Sequence, residues 1–509
     1  MFNNANFPFS LNELRALLTT PHTESFVVHG DAAFWMHQTE MTNQLAVLVR
    51  PDSSLLPRFR GEHHAFKSGY TLLLCPTDHA NARALRDTLP WLKPDLLGLA
   101  TSAGLGERLG LATPGHVRAV RAVGGNIVPI FAQQSIREME RTGRSPDDVM
   151  SDATWGAFLA GWRGKQGADA DHLKTPADID ACVAADFSFY TIDPGAHVDG
   201  AADNDAPSVI AQKVAALPWG DLESTAADLE KRYAEQMIRL EDLSTGAQRA
   251  IQLDKGAVLR AAAKYGKAIA HVAQMYRHLA AKGIPFELEV SVDETETPTT
   301  HVEHIFFASE LKRLGVKWVS LAPRYVGRFE KGVDYIGDLA AFEADFAVHA
   351  QIARVLGPYK LSLHSGSDKF SVYPIAARQT RGMVHLKTAG TSYLEALHTI
   401  AAVDSAFFRA IYVFARERYE TDCASYHVSA QLSHAPLPQD VSDADLPALL
   451  NQFDAREILH VTFGSVLTTR GADVRFRFYG KLRSLLCANS EAYAANLERH
   501  FARHLKPFV

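Results

Sequence analysis

Phe286-Glu-Leu-Glu-Val-Ser-Val-Asp-Glu294 alternates with the two-residue period of a strand. Phe286, Leu288, Val290 and Val292 fall on one face, and Glu287, Glu289 and Ser291 on the other. Apolar residues outward and carboxylates inward suit a strand of a (β/α)8 barrel. There the helices cover the outside, and chemistry lies at the strands' C-terminal ends. An exposed edge strand with one solvated face shows the same alternation, so the flanking sequence has to decide.

Downstream, a polar loop at 293–300 leads to a helical pattern at 301–314, then apolar runs at 316–322, 359–364 and 383–386. Upstream, short runs at 96–101, 127–132, 167–174 and 187–192 each end in polar residues and precede a helical segment, with Ser135 placed to cap one of them. Eight strand signals alternating with helices predict an α/β protein built on a closed (β/α)8 TIM-type barrel over residues 95–400. A helical insertion after the fourth strand, at 199–283, is expected to hold long helices at 229–243 and 256–281. Residues 1–94 read as a small α/β unit, with a helix at 11–18 and strands at 25–34, 45–49 and 70–74. Residues 401–509 read as a mostly helical extension.

Composition narrows the function. A net charge of −6 over 509 residues gives no reason to expect nucleic acid or an anionic membrane as partner. The N-terminus lacks the pattern of a secretory signal, and no uncharged run is long enough for a membrane span. Cys75, Cys182, Cys423 and Cys487 are far apart and form no C-x-x-C pair, which points to a reducing cytoplasm. A homo-oligomer is compatible with all of this. Gly104-x-Gly106 fails the dinucleotide spacing, because Leu109 stands where the third glycine belongs. The 22 histidines favour a metal or acid–base site.

The same alternation in the late strands sends Arg324, His364 and Lys387 to the face shared with Glu289, at the barrel mouth. Asp169-x-Asp171-His172-x-Lys174 adds carboxylates, an imidazole and an ammonium at the third strand end. Alone, that cluster is better explained by a polar loop with capping acids. Beside Glu289 and His364 it suggests a divalent-metal site with positions open to substrate, of a kind that suits Zn, Ni, Mn or Fe. His364-Ser365-Gly366-Ser367 is either an anion cradle opening a helix or ordinary serine capping. Lys369, Lys387 and Arg324 favour a small anionic substrate, carboxylate or phosphate. A Schiff base at Lys387 is the lesser alternative to charge pairing. His301, His304 and His349 are expected to pack or face solvent, and His385 to support the site from below.

Several stretches resemble the bacterial tagaturonate epimerase family. They are Leu109-Gly-Leu-Ala-Thr-Pro-Gly-His116, Phe131-Ala-Gln-Gln-Ser-Ile-Arg137, Gly167-Ala-Asp-Ala-Asp-His172, Ser291-Val-Asp-Glu-Thr-Glu-Thr-Pro-Thr-Thr300, Val319-Ser-Leu-Ala-Pro-Arg324, Gly327-Arg-Phe-Glu-Lys-Gly-Val-Asp-Tyr335, Lys360-Leu-Ser-Leu-His-Ser-Gly-Ser-Asp-Lys-Phe-Ser-Val-Tyr-Pro374 and His385-Leu-Lys-Thr-Ala-Gly-Thr391. The resemblance implies a metal-dependent enzyme that interconverts D-tagaturonate and D-fructuronate in galacturonate catabolism. It implies Asp171 as proton acceptor, Glu289 as proton donor, and His172 and His364 as metal ligands. Glu330, after the sixth strand, is the choice for a third ligand, with Arg324, Ser365, Lys369 and Lys387 binding the ketouronate. The two sugars differ at C4, which is alpha to neither the ketone nor the carboxylate, so retro-aldol cleavage and re-addition is the expected route. A metal-dependent aldolase for an acidic or phosphorylated sugar is the alternative enzyme. A non-catalytic sugar-acid-binding protein is the alternative outside enzymes.

Overall fold

The computed structural model describes residues 9, 23–38, 43–234, 236–241, 246–365, 367–471 and 476–509. Eight parallel strands close into the expected barrel: Ser102–Gly104, Val128–Ser135, Gly167–Leu173, Phe189–Ile192, Glu287–Ser291, Ser320–Ala322, Lys360–Leu363 and Val384–Lys387. The fourth and fifth pair across the insertion with Thr191 opposite Glu289. The eighth closes on the first with Lys387 opposite Gly104. Outward residues such as Leu288, Val290, Leu361, Leu363, Val384 and Leu386 are buried against the surrounding helices. Helix His301–Arg313 follows the fifth strand, opened by a capping box in which Thr300 and Glu303 satisfy each other's backbone N–H. Ser135 caps helix Ile136–Thr142 as expected, accepting from Glu138 N at 3.2 Å.

The first barrel strand lies later than 96–101. Residues 97–100 form a turn with Gly98 at φ +57°, and Leu96 and Leu99 are exposed. The strand itself, Ser-Ala-Gly, carries too little apolar surface to stand out in the sequence. The insertion also differs. The expected helix at 229–243 ends at Tyr233, and Met237–Glu241 pairs antiparallel with Gln248–Gln252. Alternation in Met-Ile-Arg-Leu-Glu, with Leu240 fully buried, overrides the helical spacing. The long helix Lys255–Ala280 stands where expected.

Near the N-terminus, the expected strand at 25–34 is a hairpin, Val27–His29 and Ala32–Gln38, turning at Gly30 with φ +61°. These strands, with Asn43–Val49, Thr71–Pro76 and the exposed edge strand Glu62–Ala65, form a five-stranded antiparallel sheet. One face of it (Phe34, Met36, Val47, Leu73) joins the main core. The expected helix at 11–18 lies outside the described residues. Helices after residue 390 wrap the barrel, and Ser490–Leu505 packs on Thr113–Val123. A Cβ at Gly115 would stand 2.6 Å from Leu497, so glycine permits that approach. No described helix is long and apolar enough to cross a membrane.

Candidate active site

The inward residues of strands three, four, five and eight meet in an ion network closed from water. Lys387 Nζ lies 2.9 Å from Asp169 Oδ2, 2.6 Å from Asp171 Oδ1 and 3.0 Å from Glu289 Oε1, and donates to Thr191 Oγ1 at 2.7 Å. One buried ammonium among three carboxylates leaves the network short of positive charge. Burial opposes a charged Lys387, but Asp169, Asp171 and Glu289 prevail and raise its pKa. A lysine held charged in this way favours charge pairing over the Schiff-base alternative.

Above the network, His364 follows the seventh strand, with Nε2 2.6 Å from Glu289 Oε1. His172 reaches the same place by a backbone irregularity. Its φ is +52°, and the pairing of strands three and four shifts register between Ala170 and Leu173. An unbroken strand would send Asp171 and His172 to opposite faces; the left-handed residue turns both into the mouth at a cost on the order of 1 kcal/mol. His172 Nδ1 then lies 3.1 Å from Asp193 Oδ2.

The outer ring nitrogens of both histidines thus face carboxylates, and each is placed to donate to one. The inner atoms, His172 Nε2 and His364 Nδ1, face each other at 3.2 Å. A proton shared between them or a cation held by both satisfies that approach, and Asp293 Oδ1 also lies 3.4 Å from His364 Nδ1. Asp171 Oδ1 is 3.8 Å from His172 Nε2, and Asp171, His172 and His364 form one of the groups whose ligand atoms all lie within 4.8 Å of one another. Burial works against a charged His172, yet Asp171, Glu294 and Asp193 bring its pKa up to about 10. Burial and Lys387 work against a charged His364, yet Asp293 and Glu289 push it up to about 9. Burial would raise the Asp171 and Glu289 carboxyls, but Lys387 and the histidines hold both below the usual range. Donor atoms, spacing and field all fit a divalent cation.

Two adjoining cavities open here. The first is lined by Gln133, Arg137, Asp171, His172, Lys387 and others. The second is lined by Asp293, Arg324, Tyr325, Arg328, Glu330 and others. Lys331, His364, Ser365 and Tyr426 line both. Glu289 lies beneath His364, off both walls. Glu330 stands apart from the two histidines, its Oε2 accepting from Ser429 N at 2.8 Å and Ser429 Oγ at 2.7 Å. Lys369 is fully buried and donates to the carbonyls of Glu330 at 2.7 Å and Ser367 at 3.0 Å, off both cavities. Ser365 takes φ +47°, and the next helix starts only at Tyr373, so no helix opens at the expected cradle; Gly366 lies outside the described residues.

Sequence reasoning passed over Lys331, Arg137, Tyr426, Asp193 and Asp293. Lys331, Arg137 and Asp293 stand inside quoted family stretches, which was the available signal. Tyr426 comes from the helical extension, and Arg141 stacks over its ring at 4.6 Å.

Fold and site together define a (β/α)8-barrel enzyme with its acid–base groups at the C-terminal mouth. The family model described as tagaturonate epimerase matches residues 22–508. A tagaturonate/fructuronate epimerase of Thermotoga maritima is 43% identical over 437 residues, covering 86% of each chain. Crystal structures of a fructuronate-tagaturonate epimerase from Cohnella laeviribosi, native and glycerol-complexed, superpose with a TM-score of 0.89 at 35% identity over 98% of each chain. The chain belongs to the tagaturonate epimerase family, an isomerase acting on carbohydrate.

Proposed function

We propose that this enzyme interconverts D-tagaturonate and D-fructuronate by inverting C4, and that it depends on a divalent cation held by His172 and His364. The observation that carries the proposal is the facing pair His172 Nε2 and His364 Nδ1 beside Asp171, in a chain of this family. When bound, the cation supplies Lewis-acid stabilisation of negative charge developing on the ketone side of the substrate.

Asp171, on the cavity wall, takes the proton of the 4-hydroxyl. The C4–O electrons form the aldehyde carbonyl as C3–C4 breaks, and the bond pair passes into a C2–C3 enediolate. The aldehyde fragment rotates and is attacked on its other face by C3, which restores the ketone and leaves a 4-alkoxide. Lys387 Nζ, on the cavity wall, returns a proton to the 4-alkoxide and is recharged by the proton that Asp171 took; Glu289, ionised beneath His364, takes part only through this ammonium, which touches both carboxylates. Arg324 and Lys331 receive the substrate carboxylate in the second cavity, and Ser365 bonds a hydroxyl where the cavities join. Lys369 braces the loop bearing Glu330, and Glu330 forms a wall rather than a ligand. The four cysteines are unpaired, which supports a cytoplasmic enzyme.

The test is incubation of metal-loaded protein with D-tagaturonate, with and without chelator, and assay of D-fructuronate. Conversion that chelator stops and added metal restores is expected; no conversion with any divalent metal overturns the proposal.

A further inference from the structure

A second constellation with the donor set of a metal site lies outside the barrel, between helix His301–Arg313 and helix Leu339–Leu356. His301 opens the first helix. Asp345 and His349 stand four residues apart on one face of the second. His301 Nε2 lies 3.0 Å from Asp345 Oδ1, and His349 Nε2 lies 3.5 Å from Asp345 Oδ2. The ligand atoms of the three residues all fall within 4.8 Å of one another. Tetrahedral zinc with nitrogen and oxygen at about 2.0–2.2 Å places its ligands about 3.3 Å apart, close to each of these nitrogen–oxygen separations, which run to the two different oxygens of Asp345.

Both histidines are within ion-pair distance of Asp345, and the burial of the cluster adds a further feature. His301 Nε2, His349 Nε2 and Asp345 Oδ2 are all closed from solvent, and none completes a hydrogen bond. His349 is fully buried, so its orphaned nitrogen has no recourse to water. Behind it runs a support chain. His349 Nδ1 meets His304 Nδ1 at 2.8 Å, and His304 Nε2 meets Tyr359 Oη at 2.9 Å. When His304 Nε2–H donates to Tyr359 Oη, His349 Nδ1–H donates to His304 and the His349 Nε2 lone pair faces Asp345; when the Tyr359 hydroxyl donates instead, His349 Nε2–H faces Asp345. The first is the tautomer a metal-ligating histidine needs, and a bound cation selects it.

We propose that His301, Asp345 and His349 bind a divalent cation of the zinc class, with water from the exposed His301 side in the fourth position. The ion clamps the helices that follow the fifth and sixth strands. The His349 ring lies 5.6 Å from the ring of Tyr325, whose hydroxyl donates to the Ser362 carbonyl of the seventh strand at 3.3 Å and whose side chain lines the second cavity. The clamp therefore stiffens the outer wall of the substrate cavity.

The experiment uses the full chain, stripped with chelator, reloaded with zinc chloride and desalted, with zinc per chain measured by mass spectrometry. The comparison set is the unsubstituted protein, His301→Gln, Asp345→Asn and His172→Ala. His301→Gln changes a one-third-exposed side chain at a helix start, so it tests the site without opening the core. The expected result is two equivalents in the parent chain, one lost in His301→Gln and in Asp345→Asn, and the other lost in His172→Ala. Zinc content lowered by His301→Gln but not by His172→Ala supports this site and removes the catalytic one. Zinc content unchanged by both His301→Gln and Asp345→Asn overturns the inference.

Discussion

At the scale of single residues, Asp171 is both a cavity-wall group and a partner of Lys387, and substitution separates the two roles. Asp171→Asn keeps the shape and a contact to Gln133 Nε2, which lies 3.2 Å away, but removes the base. Turnover should fall by roughly 10²–10⁴-fold, with the folded state intact by circular dichroism. Equal activity in the variant would remove Asp171 from the reaction. Arg324→Met and Lys331→Met act on binding instead. Each should raise KM about ten-fold or more for the uronate with a smaller change in kcat, because neither group touches C3 or C4. The positions at the barrel mouth were legible where a strand's alternation carried them, as for Glu289 and Lys387. His172 was harder, because a positive φ has no sequence mark in a non-glycine residue. Lys331 and Tyr426 were not legible from pattern, since neither lies on a strand or helix whose period could aim it.

At the scale of elements, the loop after the sixth strand is tied to the helical extension through two acids. Glu330 Oε2 and Glu457 Oε2 both accept from Ser429 N, at 2.8 and 3.2 Å. Burial, and then the Glu330 carboxylate, push the Glu457 pKa up to about 8 from its ordinary 4.5. The folded state therefore holds a proton that the unfolded chain releases above about 4.5. The stability from that proton is whole below pH 4.5 and is lost as pH rises through 8. The melting temperature of the parent chain should drop as pH rises from about 4.5 to 8, and Glu457→Gln should flatten the drop. A parallel decline in both proteins would count against a shared proton. Local pattern reading worked for the helix Lys255–Ala280 and for short apolar strands such as Phe189–Ile192 and Lys360–Leu363, and failed for the helix expected at 229–243 and for the first strand. Ser102–Gly104 is a strand because its neighbours on both sides supply the hydrogen bonds, a non-local cause that three small residues do not advertise.

At the scale of the whole molecule, the barrel brings six strand ends and a distant extension to one mouth, and the chemistry proposed there makes a claim about atoms. Inversion at C4 by bond cleavage keeps the C4 hydrogen on its carbon throughout; inversion by proton removal exchanges it with solvent. Turnover in deuterium oxide should leave C4 free of deuterium. The cavity must also hold both fragments until they rejoin, and Tyr426 from the extension and Arg137 from the helix after the second strand stand over it. Tyr426→Ala opens that cover, so the variant should release a measurable share of three-carbon fragments, trapped as hydrazones, while the parent chain releases few. Deuterium at C4 with no trappable fragment from either protein would exclude retro-aldol cleavage and leave direct proton abstraction at C4 as the route.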